Sequence, residues 1–497
     1  MLLHLVGLGV AHGALVAARH GGDRDGGLGL PAGLLAQLQG GATDDLVQDG
    51  AGVLDARPAP QRAARIFGAM SISSGGCSNG FTSGPTATIA HRRDRTEGEA
   101  GMRAHHGRSL TLALMVALAG CAPTPDSTDT AASVEPSVAS VAPASPSEPA
   151  AFFPTAAFAD IREDSVSEEV AAEFQAILDD MAGRAGMAAT VMSPDGTWSG
   201  AAGKADGVRD VRVDDQFAIA SITKSVIAAQ VMQMDEAGEL DLDDPATDYL
   251  PADLDFDTNG ATIRDLLGHR SGIPGEDFAE EDKRLLTHRR RLWTPAEVLE
   301  LVPTERAPAG EAFEYSNANY QLLGLVIEQI RGRPVGDVLR DGVLDIDGVE
   351  RLIYQPDEVP TEPMAMPGGQ STAALKKGGG YLPFLAAASA HGAAAAMASD
   401  APSLARWWRA FCAGEIVSRA SLTEMTTLHD GYGLGLYDVA ESYEQAVGHA
   451  GEGIGGSYVS WAGCLPEEHA VVVVLHNRVV DDIGEMALPL VEAASSD

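Results

Sequence analysis

Ser221 stands three residues before Lys224 in the stretch FAIASITKS, Phe217 to Ser225, where Phe217, Ala218, Ile219 and Ala220 supply apolar surroundings. At the start of a helix, side chains three apart share a face. A serine hydroxyl becomes a useful nucleophile when a nearby group takes its proton, and a lysine can do so once burial and neighbouring positive charge favour its neutral form. The same residues also describe a helix cap followed by a surface lysine, so the pair needs partners elsewhere in the chain. Tyr315-Ser316-Asn317 offers a phenol able to exchange a proton when cations stabilise its phenolate, and an amide able to bind a substrate carbonyl or N–H group. Its alternative is a helix cap beside a half-buried tyrosine. His449-Ala450-Gly451-Glu452 offers an imidazole donor, a glycine that lets another backbone approach closely, and an acid at the same edge.

Four stretches carry these residues: FAIASITKS, TIRDLLGHRSGI from Thr262, AGEAFEYSNANYQLLGLVIEQIRG from Ala309, and GHAGEGIGGSY from Gly448. In this order and separation they resemble the serine β-lactamase-like superfamily, in the branch of class C β-lactamases, D-alanyl-D-alanine carboxypeptidases and related esterases. The resemblance covers about Ile161 to Asp497. It implies that Ser221 is the acylated nucleophile, Lys224 its partner and Tyr315 the group exchanging protons with serine and leaving group. Asn317 then binds substrate and Lys224, and His449 donates to substrate or Tyr315. Gly451 admits substrate to the strand, and the backbone N–H groups of Ser221 and Glu452 form the oxyanion hole. Many β-lactamases have lysine where His449 stands, and Glu452 is an unexpected acid there, which disfavours a substrate carboxylate at that edge. His269, in His269-Arg270-Ser271-Gly272, matches a loop that supports the site and is read as structural.

The elements that must position these residues follow from pattern. Glu168 to Met181 has Val170, Phe174, Ile177 and Met181 at helical spacing. AATVMS and TWSGAAG flank Asp195-Gly196, a strong hairpin signal. Phe217 to Met234 reads as a helix opened by Ser221. Thr262 with Asp265, and Thr294 with Pro295 and Glu297, mark two helix starts. Asn317 to Arg331 presents Leu322, Leu323, Val326, Ile327 and Ile330 before Gly332. Part of Ala386 to Ala398 and Leu404 to Phe411 are expected to be helical. Tyr432 to Tyr437, Ser457 to Gly463 and Ala470 to Asn477 read as consecutive strands, and Asp481 to Glu492 as a last helix. One sheet contribution near the start and several near the end predict an α+β body, with an antiparallel sheet flanked by helices and a mostly helical subdomain inserted within it. The resemblance makes this a β-lactamase/transpeptidase-like fold, with a cleft between the two parts as the place for chemistry.

Two other patterns lack their context. Gly451-x-Gly453-x-x-Gly456 has dinucleotide-loop spacing, but no clear strand leads into it and a strand follows, so no nucleotide cofactor is expected. Asp255, Asp257, Asn259 and Gly260 begin like a calcium loop whose closing position is Leu266, and a solvated acidic turn is the simpler reading. No metal or other cofactor is expected in catalysis.

The chain has 497 residues and a net charge of -37 from 71 acidic and 34 basic residues. That balance opposes nucleic-acid binding. The basic run THRRRL, with Arg289, Arg290 and Arg291, reads as a solvated face. From Met102 a short basic segment precedes an apolar run from Leu110 and then Leu118-Ala119-Gly120-Cys121, which resembles the lipobox of bacterial lipoproteins. Residues 102–121 are thus expected to be a lipoprotein signal peptide with Cys121 as the lipidation site. Residues 1–101 are expected to be a misassigned extension, with translation starting near Met102; the alternative is that MLLHLVGLGVAHGALVAARH is itself a signal. Residues 122–160 are read as a disordered Pro/Ser/Ala-rich tether and residues 161–497 as the hydrolase domain. Cys412 and Cys464 remain either free or bonded to each other.

The expectation is an exported, membrane-anchored serine hydrolase, a monomer, working through an acyl-enzyme on a D-alanyl-D-alanine-type cell-wall peptide, β-lactam or small ester. The alternative is a noncatalytic penicillin-recognising or cell-wall-binding protein on the same fold.

Overall fold

A computed structural model describes residues 152–495 apart from Arg184, Glu276, Asp277, Gln370, Ser371, Glu441, Gly455, Gly456, Val479, Asp481 and Asp482. The proposed extension, signal peptide and Cys121, with most of the tether, lie outside the described residues.

Helix α1 (Glu168–Ala182) starts where Ser167 accepts a hydrogen bond from the Val170 N–H, with Glu168 and Glu169 in the first turn, and it ends before Gly183. It buries Phe174, Leu178 and Ala182, and the Phe174 ring lies 5.3 Å from that of Trp198 on the sheet. Strands β1 (Met187–Ser193) and β2 (Gly196–Ala202) form the expected hairpin, with Ser193 opposite Gly196. The chain leaves the sheet after β2 and returns only with β6 (Val447–Glu452), β7 (Val459–Leu465) and β8 (Ala470–His476). The order is β2-β1-β8-β7-β6, with each neighbouring pair antiparallel.

Strand β8 is buried along its whole length, and its alternation explains why. Val471, Val473 and Leu475 join the large cluster that includes Trp407, Trp408 and Phe411. Val472 and Val474 join the opposite cluster with Phe174, Leu178 and Leu490. A strand covered on both faces reads as an unbroken apolar run rather than an alternating one. Helix α1 and the C-terminal helix Leu488–Ala494 cover one face, and Ala401–Cys412 covers the other.

The inserted part contains, in chain order, α2 (Thr223–Glu236), α3 (Ile263–Leu267), α4 (Phe278–Thr287), α5 (Pro295–Leu299), α6 (Asn317–Arg331), α7 (Leu385–Ala395) and α8 (Ala401–Cys412). Both capping boxes form, Thr262 with Asp265 and Thr294 with Glu297. Helix α6 ends at Gly332 in the left-handed conformation. Helix α2 is buried almost all round, as an apolar helix in the centre of a core must be. A small second sheet, β3 (Phe217–Ala218), β4 (Ile353–Tyr354) and β5 (Met397–Ser399), runs in the order β3-β5-β4 and anchors the approach to α2.

Three expectations change. The tether does not extend to residue 160. Phe153, Ala157 and Phe158 are buried in the large cluster, and the Phe153 N–H donates to Thr423 Oγ1 at 3.1 Å. Two aromatics are enough to dock a segment whose alanines and prolines suggest disorder. Tyr432 to Tyr437 is not a strand but a tight turn tied by isolated bridges, one of them Tyr437 to Gly448. A Cβ on Gly433 would meet Met425 O at 2.0 Å, and one on Gly435 would meet Ala228 Cβ at 2.4 Å, so these glycines serve close packing. A strand does lead into Gly451-x-Gly453, namely β6. Glycine at two of its six positions, and again at Gly453 just after it, hid it, because glycine lowers strand propensity.

Cys412 on α8 and Cys464 on β7 form a disulfide across 52 residues of sequence. Closing a loop of that size in the unfolded chain corresponds to about 4 kcal/mol in the chain-entropy model. The double variant Cys412→Ala/Cys464→Ala is expected to unfold at lower urea, losing roughly 3–4 kcal/mol in an equilibrium titration. An unchanged midpoint would show that the bond constrains nothing in the unfolded state.

Candidate active site

The nucleophile segment is a strand-to-helix turn under tension. After β3, Ala220 adopts φ 46, a left-handed conformation costly for alanine. Its surroundings enforce it: Thr223 Oγ1 donates to Ala220 O at 2.7 Å, the Met397 N–H donates to Thr223 Oγ1 at 3.0 Å, and Ser460 Oγ donates to Ile219 O at 2.6 Å. The turn leaves Ser221 half-buried at the head of α2 and carries Lys224 fully into the core. Lys224 Nζ lies 3.4 Å from Ser221 Oγ, 2.8 Å from Asn317 Oδ1 and 2.9 Å from Ala394 O. An ammonium has three N–H donors, and three acceptors meet it here. Ala394 lies in the last turn of α7, where helix carbonyls have no intrahelical partner.

Asn317 opens α6, and Ser316 just before it is extended. His269 fixes this corner. Its Nδ1 lies 3.2 Å from the Ser316 N–H donor and 3.1 Å from Asn319 Nδ2. A backbone N–H can only donate, so Nδ1 accepts and the neutral ring carries its proton on Nε2. Asn319 Oδ1 in turn accepts from Ser271 Oγ at 2.7 Å. The His269 ring lies 4.2 Å from that of Tyr315, and Lys224 Nζ is 4.8 Å from the Tyr315 ring centroid. Tyr315 therefore contacts both a buried neutral imidazole and a buried cation. Asn259, from the acidic turn, braces the same loop by donating from Nδ2 to Ser271 O and Ala307 O.

The third stretch lies on β6, an outer strand of the sheet. Gly448 exchanges both backbone hydrogen bonds with Tyr437 on the side away from β7, whereas the Gly453 N–H donates to Tyr458 O leading into β7. Alternation then directs the Glu452 N–H off the sheet edge, the same way as that of Gly448. A Cβ on Gly451 would fall 2.4 Å from Ile219 O and 2.8 Å from Ser221 N, so the strand presses directly on the nucleophile turn. The Glu452 side chain is exposed.

His449 is placed differently from the expectation that it donates to substrate or Tyr315. It is 2% exposed, its Nδ1 sits 2.5 Å from Ala450 O, and its Nε2 sits 3.2 Å from Tyr432 Oη. A carbonyl only accepts, so Nδ1 is the donor and Nε2 accepts from the tyrosine. Tyr432 and Tyr437 surround His449, while Tyr320 and His391 lie near Lys224, and none of the four was singled out from sequence. Glycine-rich YGLGLY read as a strand concealed the first two. His391, on α7, has Nε2 3.8 Å from Glu281 Oε1 on α4.

Burial, followed by the charge of Lys224, lowers the pKa of all three site histidines. That of His449 falls to about 3 and that of His391 to about 4, and His269 falls well below the ordinary 6.5. Unfolded histidines take up protons near pH 6.5 while the folded ones stay neutral, so stability is lost as pH falls from 6.5 toward 4. With folded values of about 4 and about 3, His391 and His449 each cost about 2 kcal/mol at pH 5 relative to pH 8. Urea unfolding is expected to show this slope, and His391→Gln should flatten it by about that amount. An identical slope in the variant would remove His391 from the account.

A β-lactamase family model matches residues 171–494, more than half of the chain and all of the stretches above. The chain belongs to the β-lactamase family. Among curated relatives, penicillin-binding protein 4 of Amycolatopsis lactamdurans is 30% identical over 151 residues, 30% of this chain and 38% of that protein. Penicillin-binding protein 4* of Bacillus subtilis (strain 168) is 28% identical over 142 residues, 27% of this chain and 30% of the relative. The alignments thus span well under two thirds of these curated relatives. Among solved structures, the D-amino acid amidase from Ochrobactrum anthropi SV3 superposes with a TM-score of 0.55 at 25% identity, covering 66% of this chain and all of that one. A D-stereospecific amidohydrolase from Streptomyces sp. gives a TM-score of 0.53 at 26% identity, covering 64% and 97%. The β-lactamase-like fold with its antiparallel sheet is therefore established, and with it membership of a family of serine hydrolases.

Proposed function

We propose that this β-lactamase-family chain is an extracytoplasmic, lipid-anchored hydrolase that transfers the acyl group of a small D-configured amide, peptide or ester to Ser221 and then to water. The observation that carries this reading is Lys224 Nζ held between Ser221 Oγ and Asn317 Oδ1 at a fixed, strained turn. Ser221 Oγ attacks the carbonyl carbon as its proton passes to a Tyr315 phenolate stabilised by the Lys224 ammonium, and Tyr315 then gives that proton to the leaving amine or alcohol. The N–H groups of Ser221 and Glu452 stabilise the oxyanion. Water then attacks the ester, its proton returns to Ser221 Oγ, and the acid is released.

Substrate class follows from charge. His449 is neutral at physiological pH, and Glu452 adds an acid at the same edge. Such an edge does not attract a free carboxylate next to the scissile bond, which favours neutral amides and esters over carboxylate-ended peptides or β-lactams. The similarity to a D-amino acid amidase and a D-stereospecific amidohydrolase supports the D-configured class. The disulfide supports an oxidising compartment, and the Leu118–Cys121 order supports the anchor.

The test compares turnover of D-phenylalanine amide, a p-nitrophenyl ester, a D-alanyl-D-alanine peptide and a cephalosporin, with intact-mass detection of adducts to a phosphonate probe. The amide or ester is expected to exceed the carboxylate-bearing substrates in kcat/KM by at least about tenfold, with a probe adduct on Ser221. Faster turnover of the carboxylate-bearing pair would overturn the substrate class. Folded protein that forms no adduct and turns over nothing would favour a binding role on the same fold.

A further inference from the structure

The basic run His288-Arg289-Arg290-Arg291 is not absorbed by the chemistry above. It links α4 to α5 and, with Leu286, Thr287 and Lys377, lines an open recess of about 680 Å³. Two of its guanidiniums lie over aromatic rings. Arg291 lies 3.7 Å from the centroid of the buried Trp293, and Arg289 lies 5.2 Å from that of the buried Phe384. Arg291 is partly neutralised, because its Nη2 lies 2.8 Å from Glu297 Oε1. Arg290 is exposed. The Ala386 N–H donates to Arg289 O at 3.0 Å, which ties the basic loop to the start of α7. The other end of α7 gives the carbonyl that holds Lys224. Helical geometry breaks at Gly392 within α7, so the recess and the catalytic lysine lie toward opposite ends of one interrupted helix.

We propose that this recess is an anion subsite, binding carboxylate or phosphate groups carried by an extended ligand. Arginine suits the task because its planar fork binds oxyanions in pairs and because contact with an aromatic ring restrains it beforehand. In a chain of net charge -37 a converging set of cationic side chains runs against the general field. An anionic bilayer would meet the repulsion of the whole acidic body, which favours a soluble anionic ligand. The exposed Leu286 and Leu292 beside the arginines would cover the apolar stem of such a ligand. For an elongated substrate acylating Ser221, an extension that rests on the function proposed above, the recess selects an anionic group carried toward the opposite end of α7 from the scissile bond.

The test is calorimetric titration of the full chain with pentaglutamate and with inorganic tripolyphosphate, at low and physiological salt. Saturable binding of at least one is expected, weakened at least about tenfold by Arg289→Gln/Arg290→Gln, weakened by salt, and unchanged in Ser221→Ala. Because Arg289 also packs on Phe384, the exposed substitution Arg290→Glu provides a second variant, which should weaken binding without moving the thermal transition. A preference for pentaglutamate identifies carboxylate groups, and one for tripolyphosphate identifies phosphate groups. No saturable binding to either, equal binding by the variants, or pelleting with anionic vesicles in the absence of soluble-anion binding would overturn the proposal. Saturable anion binding by the native chain that is lost in Arg289→Gln/Arg290→Gln, in native protein that takes no probe adduct and hydrolyses none of the substrates, would uphold the subsite and reject the hydrolase reading.

Discussion

Ser221→Ala is expected to abolish covalent labelling by the phosphonate probe and to lower hydrolysis by about 10⁴-fold or more, with little change in stability. Lys224→Met should come close to the same loss, because residues that act as one unit are not additive. The stability readouts of the two variants differ for a physical reason. Ser221 is half-buried and donates nothing that the core depends on, whereas Lys224 is fully buried and serves Asn317 Oδ1 and Ala394 O. Methionine fills the channel but leaves both acceptors without their cation, at a cost of roughly 2–5 kcal/mol for the two. Intact-mass kinetics and thermal unfolding on the same samples separate the effects. Lys224→Met protein that unfolds early yet labels at the native rate would reduce the lysine to a structural tie.

The chemistry was more legible in the sequence than the packing that tunes it. Polar residues of unusual type at fixed places, Ser221, Lys224, Tyr315 and Asn317, stand out against apolar surroundings, and the structure gathers them around one ammonium. Helix starts were equally legible, since Thr262 and Thr294 each need a partner three residues on and have one. The tyrosines around His449 were not. Their positions depend on Gly433 and Gly435 letting a loop press against α2 and against Met425 at the end of the helix Arg419–Met425, a tertiary contact with no local signature. His391 was hidden for a related reason. It sits in an alanine-rich helix whose composition says nothing of what it faces, and only the fold puts it near Lys224. The docking of Phe153 and Phe158 was likewise masked by a composition that suggests a linker.

Gly451→Ala should cost more activity than its size suggests. The glycine is not there for its backbone angles, since it is not among the positive-φ glycines and sits in regular pairing opposite Ser460. It is there for space. A methyl group would sit 2.4 Å from Ile219 O and 2.7 Å from Ser460 Oγ as well as 2.8 Å from Ser221 N, and two of those three atoms are backbone of the nucleophile segment. Neither side can yield cheaply. The turn is already fixed by Ser460 Oγ on Ile219 O and by the strained Ala220, and β6 is fixed by its ladder with β7. The strand must therefore back away from Ser221, carrying the Glu452 N–H with it. Loss of one well-placed oxyanion donor lowers acylation by about 10²–10³-fold, and overpacking costs about 1–3 kcal/mol of stability. Single-turnover acylation with a p-nitrophenyl ester should show the deficit in the chemical step, with ester binding little changed. If Gly451→Ala acylates at the native rate while losing the expected stability, the two N–H groups do not work as a pair, and oxyanion stabilisation must come from the Ser221 N–H and side-chain donors alone.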